Sequence, residues 1–273
     1  MKIFISADME GISGVVSSSH TEPGNKDYDR MRLLMTKEVN AVIQAAFDFG
    51  ATEVVVNDSH NNMDNILIEE LDKRAVLISG SPKPLSMMEG IDESFKAVFF
   101  VGYHARAGTD NAIMDHTYTS KVMFAKINGR EMSEAGLNGR LAGYFGVPVA
   151  LITGDQNAVL CAREELHRDI IGVVVKEAVG RYAAKVFPFD IVKSKIEEGV
   201  KEALLKIDSF KPVKEEGPVE LEVSFFRTVM ADMTLLIPGT KKKDPRTVIY
   251  TARDYLEAYK VFRAMLAISP GIN

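Results

Sequence analysis

Apolar and polar positions fall in blocks along the first two-thirds of this chain, and the blocks switch between two periods. Lys2–Ala7 and residues 53–57, 75–79 and 97–101 are short apolar runs rich in β-branched and aromatic side chains, which read as strands buried on both faces. Between the first two, Met31, Met35, Val39, Val42, Ala46 and Phe49 recur at helical spacing and Gly50 supplies a stop, predicting a helix over 27–49. Val122–Ile127 leads into the turn signal Asn128-Gly129. Residues 133–145 read as a helix closed by Gly146, ahead of a strand at 147–153. Asp155 is placed to cap a further helix through Leu166, since its carboxylate accepts orphan backbone N–H groups. A short strand at 173–175 and a helix at 190–206 follow. This alternation predicts the α/β class, with a mostly parallel open sheet flanked by helices.

The pattern changes near residue 210. Lys211-Pro212 and Glu215-Glu216-Gly217-Pro218 read as a surface connection. Val219, Leu221, Val223 and Phe225 then alternate with Glu220, Glu222 and Ser224, the period of a strand with one wet face. A partner strand at 248–252 and a closing helix at 253–268 complete a smaller α+β portion. The expected organisation is an α/β domain over 1–209, carrying the chemistry, with 210–273 packed on it. The Lys241-Lys242-Lys243 run, between Pro238-Gly239 and Pro245, reads as a solvated turn.

Composition narrows the partners. The chain has 273 residues, 46% of them apolar, and a net charge of −5, which offers no general attraction to nucleic acid or anionic membrane. Its single cysteine, Cys161, excludes an intramolecular disulfide and a multi-thiolate metal site, and its helical context predicts a half-buried structural role. The opening apolar stretch from Ile3 to Ala7 is too short for a signal-peptide core, and no run is long enough to span a bilayer. These features predict a soluble, cytoplasmic protein.

Candidate chemistry gathers where the strands end. In an open α/β sheet, reacting groups collect beyond the carboxyl ends of the strands. The first run ends in Asp8-Met9-Glu10, the second in Asp58-Ser59-His60 and the fourth in Tyr103-His104. Asp8 and Glu10 project to the same side of extended chain, and Gly11 and Gly14 let the backbone turn after them; an acidic loop, or Glu10 capping a turn, is the plain alternative. His60 suits a metal through one ring nitrogen, with Asp58 or a backbone carbonyl holding the other; an Asx turn with an exposed histidine is its alternative. His104 follows a fully apolar strand, where a core histidine bonded to backbone is equally natural. His116, in Asp115-His116-Thr117, suits a proton shuttle or an ordinary loop. Glu134 opens a helix, where an acid is favourable against the dipole without any function. The small residues Gly136, Asn138 and Gly139 that follow it imply close approach by a neighbour. His20 borders a Ser-rich loop, and His167 ends a charged helix where it reads as solvated.

Together these segments resemble the zinc D-aminopeptidase family. The resemblance is carried by Ser6-Ala7-Asp8-Met9-Glu10-Gly11-Ile12-Ser13-Gly14, Val56-Asn57-Asp58-Ser59-His60, Ile78-Ser79-Gly80, Gly102-Tyr103-His104-Ala105-Arg106 and His116. Asn128-Gly129, Glu134-Ala135-Gly136-Leu137-Asn138, Pro148-Val149 and Gly154-Asp155 continue it in order. It covers most of residues 1–180, and the C-terminal third fits more loosely. The resemblance implies a dinuclear centre of two Zn2+ ions held by Asp8, Glu10, His60, His104 and Glu134, with Asp8 bridging, and His116 as the catalytic histidine. It also implies a homo-oligomeric ring, a decamer, with active sites facing an internal cavity.

The implied chemistry balances. Two divalent ions bring about +4, against about −4 from three carboxylates and a hydroxide. Oxygen and imidazole donors suit zinc, with manganese and cobalt as alternatives. On this reading the protein releases the N-terminal residue, a D-amino acid, from short peptides, with Asp115 or Asp110 as candidates to meet the free amine. A two-metal hydrolase of another amide or a phosphoester, and a non-catalytic metal-stabilised ring subunit, are the competing readings. His116 stands open among base, acid, nucleophile and oxyanion stabiliser.

Overall fold

The computed structural model describes residues 1–269. Along the chain run β1 (Lys2–Ala7), α1 (Tyr28–Asp48), β2 (Glu53–Asp58), β3 (Ala75–Ile78), β4 (Ala97–Tyr103), β5 (Val122–Ile127) and β6 (Arg130–Glu131). Next come α2 (Glu134–Tyr144), β7 (Val149–Gly154), α3 (Gln156–Glu165), β8 (Ile171–Val174), β9 (Lys176–Gly180), β10 (Ala183–Val186) and α4 (Phe189–Leu205). The chain finishes with β11 (Val219–Phe225), α5 (Thr228–Thr234), β12 (Lys241–Lys242), β13 (Thr247–Ala252) and α6 (Tyr255–Ile268).

Six strands form a parallel sheet in the order β3-β2-β1-β4-β7-β8, which is the expected α/β architecture. β1 pairs with β2 on one side and β4 on the other, so the winding direction reverses at β1 and a crevice opens at the carboxyl ends there. Ile3, Ile5 and Ala7 enter the core shared with α1 and α4, whereas Phe4 enters the core beneath α2 and α6. With both faces covered, each strand position needs an apolar side chain, which is why these strands read as unbroken runs.

A second, antiparallel sheet runs β12-β13-β11-β5-β6 and takes strands from both sides of residue 210. Its inner side chains, Val219, Leu221, Val223 and Phe225, join the core under α2 and α6. The other face is drier than alternation predicts: Glu222 is buried against Lys243, and Ser224 against Thr247. The predicted lysine turn also differs, because Lys241 and Lys242 form a short edge strand on β13. Lysines at a sheet edge oppose pairing with another chain.

The helix signals translate locally. Ser133 caps α2 by accepting from the Gly136 N–H at 3.1 Å, and Asp155 caps α3 by accepting from Asn157 and Ala158 at 2.9 and 2.8 Å. The β9–β10 hairpin and α5 were not predicted; both are short and present exposed apolar residues such as Val179, Val186 and Met233, which blurs their periodicity.

Arg140 ties α2 to its surroundings. It is buried and donates to Glu215 Oε1 at 2.6 Å, to the Glu165 carbonyl at 2.9 Å and to the Gly136 carbonyl at 3.2 Å. One guanidinium thus joins α2, the end of α3 and the segment entering β11. Arg140→Met strands two carbonyls and the Glu215 carboxylate, and we expect a loss of about 3 kcal/mol. Thermal unfolding should show a clearly lower midpoint than wild type, with Glu215→Gln milder because that carboxylate is partly solvated.

Candidate metal centre

Loop geometry brings the first two acids to the crevice. The Asp8 N–H donates to the Val101 carbonyl at 2.8 Å and the Gly11 N–H to the Gly102 carbonyl at 2.7 Å, so the turn after β1 lies against the end of β4. A Cβ on Gly11 would collide with the carbonyls of Tyr103 and Gly102, and one on Gly102, at φ +70°, with the Asp8 carbonyl. Only glycine permits that approach. Asp58 does not hold the His60 ring: its carboxylate accepts from the Asn65 and Ile66 N–H groups at 2.6 and 2.7 Å and so shapes the loop after β2. The His60 ring is held instead by the Thr21 carbonyl, at 2.8 Å from Nε2.

All six candidate residues meet at this one place. His60 Nδ1 lies 3.4 Å from Asp8 Oδ1 and 3.0 Å from Glu10 Oε2. His104 Nε2 lies 3.4 Å from Asp8 Oδ2 and 3.1 Å from Glu134 Oε1, and His116 Nε2 lies 3.5 Å from that same Glu134 oxygen. The rings of His104 and His116 stack with centroids 4.1 Å apart. Asp8 therefore stands in the middle, with one oxygen toward His60 and the other toward His104. Asp8, Glu10, His60, His104 and Glu134 are buried, whereas the His116 side chain is 22% exposed at the cavity wall.

These residues fit a divalent cation. Asp8 Oδ2, Glu10 Oε2 and His104 Nε2 are buried polar atoms without a hydrogen-bond partner, and all three point into the cluster. Buried polar atoms left unsatisfied are costly, so converging ones call for something between them. Each histidine turns its outer nitrogen to a backbone carbonyl: His60 to Thr21, His104 to Ala105 at 3.0 Å, His116 to Met114 at 2.9 Å. With the outer nitrogen donating, the inner nitrogen faces the carboxylates as a ligand or proton acceptor.

Electrostatics separate the histidines into two kinds. Burial opposes charge on His60, but Glu10 and Asp8 outweigh it and hold that imidazole well above its ordinary range. His104 is likewise raised to about 10, burial being overcome by Glu134 and Asp8. His116 moves the other way, lowered by burial and by the neighbouring His104. Asp8 is raised to about 8 by burial and by Glu10. Burial pushes Glu10 and Glu134 up as well, yet the adjacent histidine charges win and hold both down.

Three basic side chains near the site escaped the sequence reading. Lys176, fully buried at the start of β9, donates Nζ to the carbonyls of Glu10, Ile12 and Val15 at 2.5, 2.8 and 2.6 Å, strapping the loop that carries the first two acids. A lysine directly ending the apolar run 170–175 was the available signal. Lys83 is buried on the carbonyl of Asp58 and on Asn57 Oδ1, at 2.7 and 2.5 Å. Arg263, from α6, lines the cavity in front of the cluster.

That cavity, of about 440 Å³, also touches Glu22, Met114, Tyr118 and Arg181. Asp110 and Asp115 do not line it: Asp115 is engaged by Arg181 and the Gly108 N–H, and Asp110 closes its own turn with Asn111. His20 also stays outside, accepting from the Val16 N–H at 3.2 Å. His167 is not solvated as expected, since its Nε2 meets the Val149 carbonyl at 2.8 Å. Cys161 is fully buried beside Arg106, more enclosed than the expected half-buried position.

The raised groups set a pH dependence with a definite sign. Without a cation, His60, His104 and Asp8 carry protons at neutral pH, and an incoming cation must displace them. Apparent affinity for a divalent ion should therefore climb with pH through about 8, the Asp8 value, and on toward about 10, the His104 value. Calorimetry in buffers of different ionisation enthalpy should record net proton release at pH 7; proton-neutral binding there would contradict it.

The sequence and the backbone both have close counterparts. A family model described as Peptidase_M55, D-aminopeptidase, matches residues 1–264. A D-aminopeptidase of Bacillus subtilis (strain 168) is 40% identical over 270 residues, covering 98% of each chain. A solved structure of a Zn-dependent D-aminopeptidase, DppA from Bacillus subtilis, described as a self-compartmentalizing protease, superposes with a TM-score of 0.96 at 39% identity and 98% coverage of both chains. Agreement over nearly the full length, in sequence and in fold, places this chain in the D-aminopeptidase family M55.

Proposed function

We propose that this protein is a dinuclear zinc aminopeptidase that releases the N-terminal residue, a D-amino acid, from short peptides. Asp8, Glu10, His60, His104 and Glu134 are assigned as the ligands of two Zn2+ ions, with Asp8 shared between them. The observation that carries this reading is the convergence of three unpartnered buried atoms, on Asp8, Glu10 and His104, within one cluster of carboxylates and imidazoles. The D preference and the metal follow the family and the relative whose zinc dependence is known.

When bound, the two ions supply a polarised scissile carbonyl and an acidified water. The chain's own contribution is to hold donors and move protons. Burial and His104 keep the His116 ring neutral, and its Nδ1 is taken by the Met114 carbonyl, so Nε2 is free to accept a proton at the cavity wall. Glu134 Oε1 also accepts from the Tyr118 N–H at 2.7 Å, which fixes the carboxylate that faces both His104 and His116. The cavity size suits a short peptide.

Every assigned group lies before residue 210, so we place catalysis in 1–209, with 210–273 as a smaller supporting portion. We assign a homo-oligomeric ring, a decamer as in the family. Exposed apolar residues on the β9–β10 hairpin (Val179, Tyr182, Val186) and around α5 (Phe226, Leu235, Leu236) are its candidate contacts. We place the protein in the cytoplasm. Among the described residues, no helix is long and apolar enough to cross a membrane.

The zinc-loaded protein should release D-Ala from D-Ala-D-Ala in a chelator-sensitive reaction; inactivity on both D- and L-dipeptides would refute the assignment. Asp8→Ala should reduce bound metal from about two ions per chain to fewer than one, because a shared ligand serves both. His116→Ala should retain the metal yet lose at least about a hundredfold in kcat, measured by metal analysis and initial rates on the same preparations.

A further inference from the structure

Two arginines line the cavity in front of the metal centre, and they differ in one respect. Arg181 is paired with Asp115. The Arg263 guanidinium makes no hydrogen bond or ion pair with the described residues, and its Nε is buried without a partner. A guanidinium presents a rigid fork of donors matched to a carboxylate, and a desolvated donor left unpaired is costly. The cavity wall therefore carries a cation that lacks its anion.

Arg263 is also held in place. α6 is fixed to the site by Tyr255, whose hydroxyl donates to the Leu137 carbonyl at 2.7 Å, and by Tyr259, which donates to Asn138 Oδ1 at 2.9 Å. Phe262 meets the Tyr118 ring edge-on with centroids 5.1 Å apart, and the Arg263 guanidinium carbon lies 5.4 Å from the centroid of that same ring. Tyr118 in turn donates its N–H to Glu134 Oε1. A single tyrosine thus separates the free guanidinium from the carboxylate edge of the metal cluster. The guanidinium and the metal cluster line one cavity of about 440 Å³, a volume that suits a small ligand reaching both.

We propose that Arg263 binds the C-terminal carboxylate of the substrate and so favours short peptides with a free C-terminus. This rests on the aminopeptidase reading for the identity of the ligand. It assigns the two ends of a short peptide to two different parts of the chain. The amine end lies against the buried cluster from β1, β2, β4 and α2, and the carboxylate end against α6 of the C-terminal portion. A longer peptide would have to place an uncharged backbone segment against the guanidinium and would forgo that contact.

The test compares acid and amide on one protein. The probe is the uncleavable isostere of D-Ala-D-Ala with CH2–NH in place of the peptide bond, as the free acid and as the C-terminal amide, titrated calorimetrically into the zinc-loaded full chain. Wild type should bind the acid at least about tenfold more tightly than the amide. Arg263→Gln should abolish that ratio, and Arg263→Lys should restore part of it. In turnover, Arg263→Gln should raise KM for D-Ala-D-Ala far more than it affects hydrolysis of D-alaninamide, with the loss falling on KM rather than kcat. No preference for the acid in wild type, or an unchanged preference in Arg263→Gln, would overturn the proposal. A general folding defect would weaken acid and amide together, and the lysine variant then decides. Should wild type prefer the acid yet hydrolyse nothing, the Arg263 assignment stands and the peptidase reading falls.

Discussion

Three carboxylates buried within reach of one another form the constraint around which this molecule is organised. Asp8, Glu10 and Glu134 sit at the end of a parallel sheet with almost no access to water. Burying one charged group is expensive, and burying three together is tolerable only with close compensation. Part of that compensation is local: His60 and His104 are driven toward their charged forms by the acids they face. Part comes from Lys176, whose ammonium sits beneath the loop bearing Asp8 and Glu10. The remainder is the role assigned to the cations.

Holding such a cluster requires a stiff frame, and the layer behind it is polar in a controlled way. Ser6 bonds to Ser59 at 2.8 Å and to the Tyr103 hydroxyl at 2.7 Å, and that hydroxyl accepts from Asn138 at 3.0 Å. Asn138 accepts from Tyr118 and Tyr259 at 2.6 and 2.9 Å. This chain of satisfied groups links β1, β4, α2 and α6, elements far apart in sequence. Networks of this kind are costly when half-satisfied and rigidifying when complete. The same network docks the helix that presents Arg263, so the frame that stiffens the metal site also positions the far wall of the cavity.

Much of the fold was legible along the chain, because each main strand and long helix carries its own period. β1, β2 and β4 are uniform apolar runs, and α1 repeats its apolar residues at helical spacing ahead of Gly50. Surface elements were not legible: β9, β10 and α5 carry exposed apolar residues such as Val179, Val186 and Met233, which blur any period. Their existence depends on what they pack against. The small residues after Glu134 were correctly suggestive of close approach: a Cβ on Gly136 would collide with the Glu165 carboxylate, and one on Gly139 with the Leu166 side chain.

At the site, the sequence by itself determined which donors were available, since acids and imidazoles followed strand ends whose common edge is a property of open α/β sheets. It also determined the glycines that let those loops close. Only the tertiary structure decided which neighbours complete the site. Asp58 could have served the His60 ring, but it turned to the Asn65 loop, and the Thr21 carbonyl took its place. Lys176 and Arg263 arrive from more than a hundred residues away, with no spacing rule linking them to Asp8. Local pattern records what a segment can form alone; pairing a buried charge with its partner is a matter of packing, and packing is settled between segments.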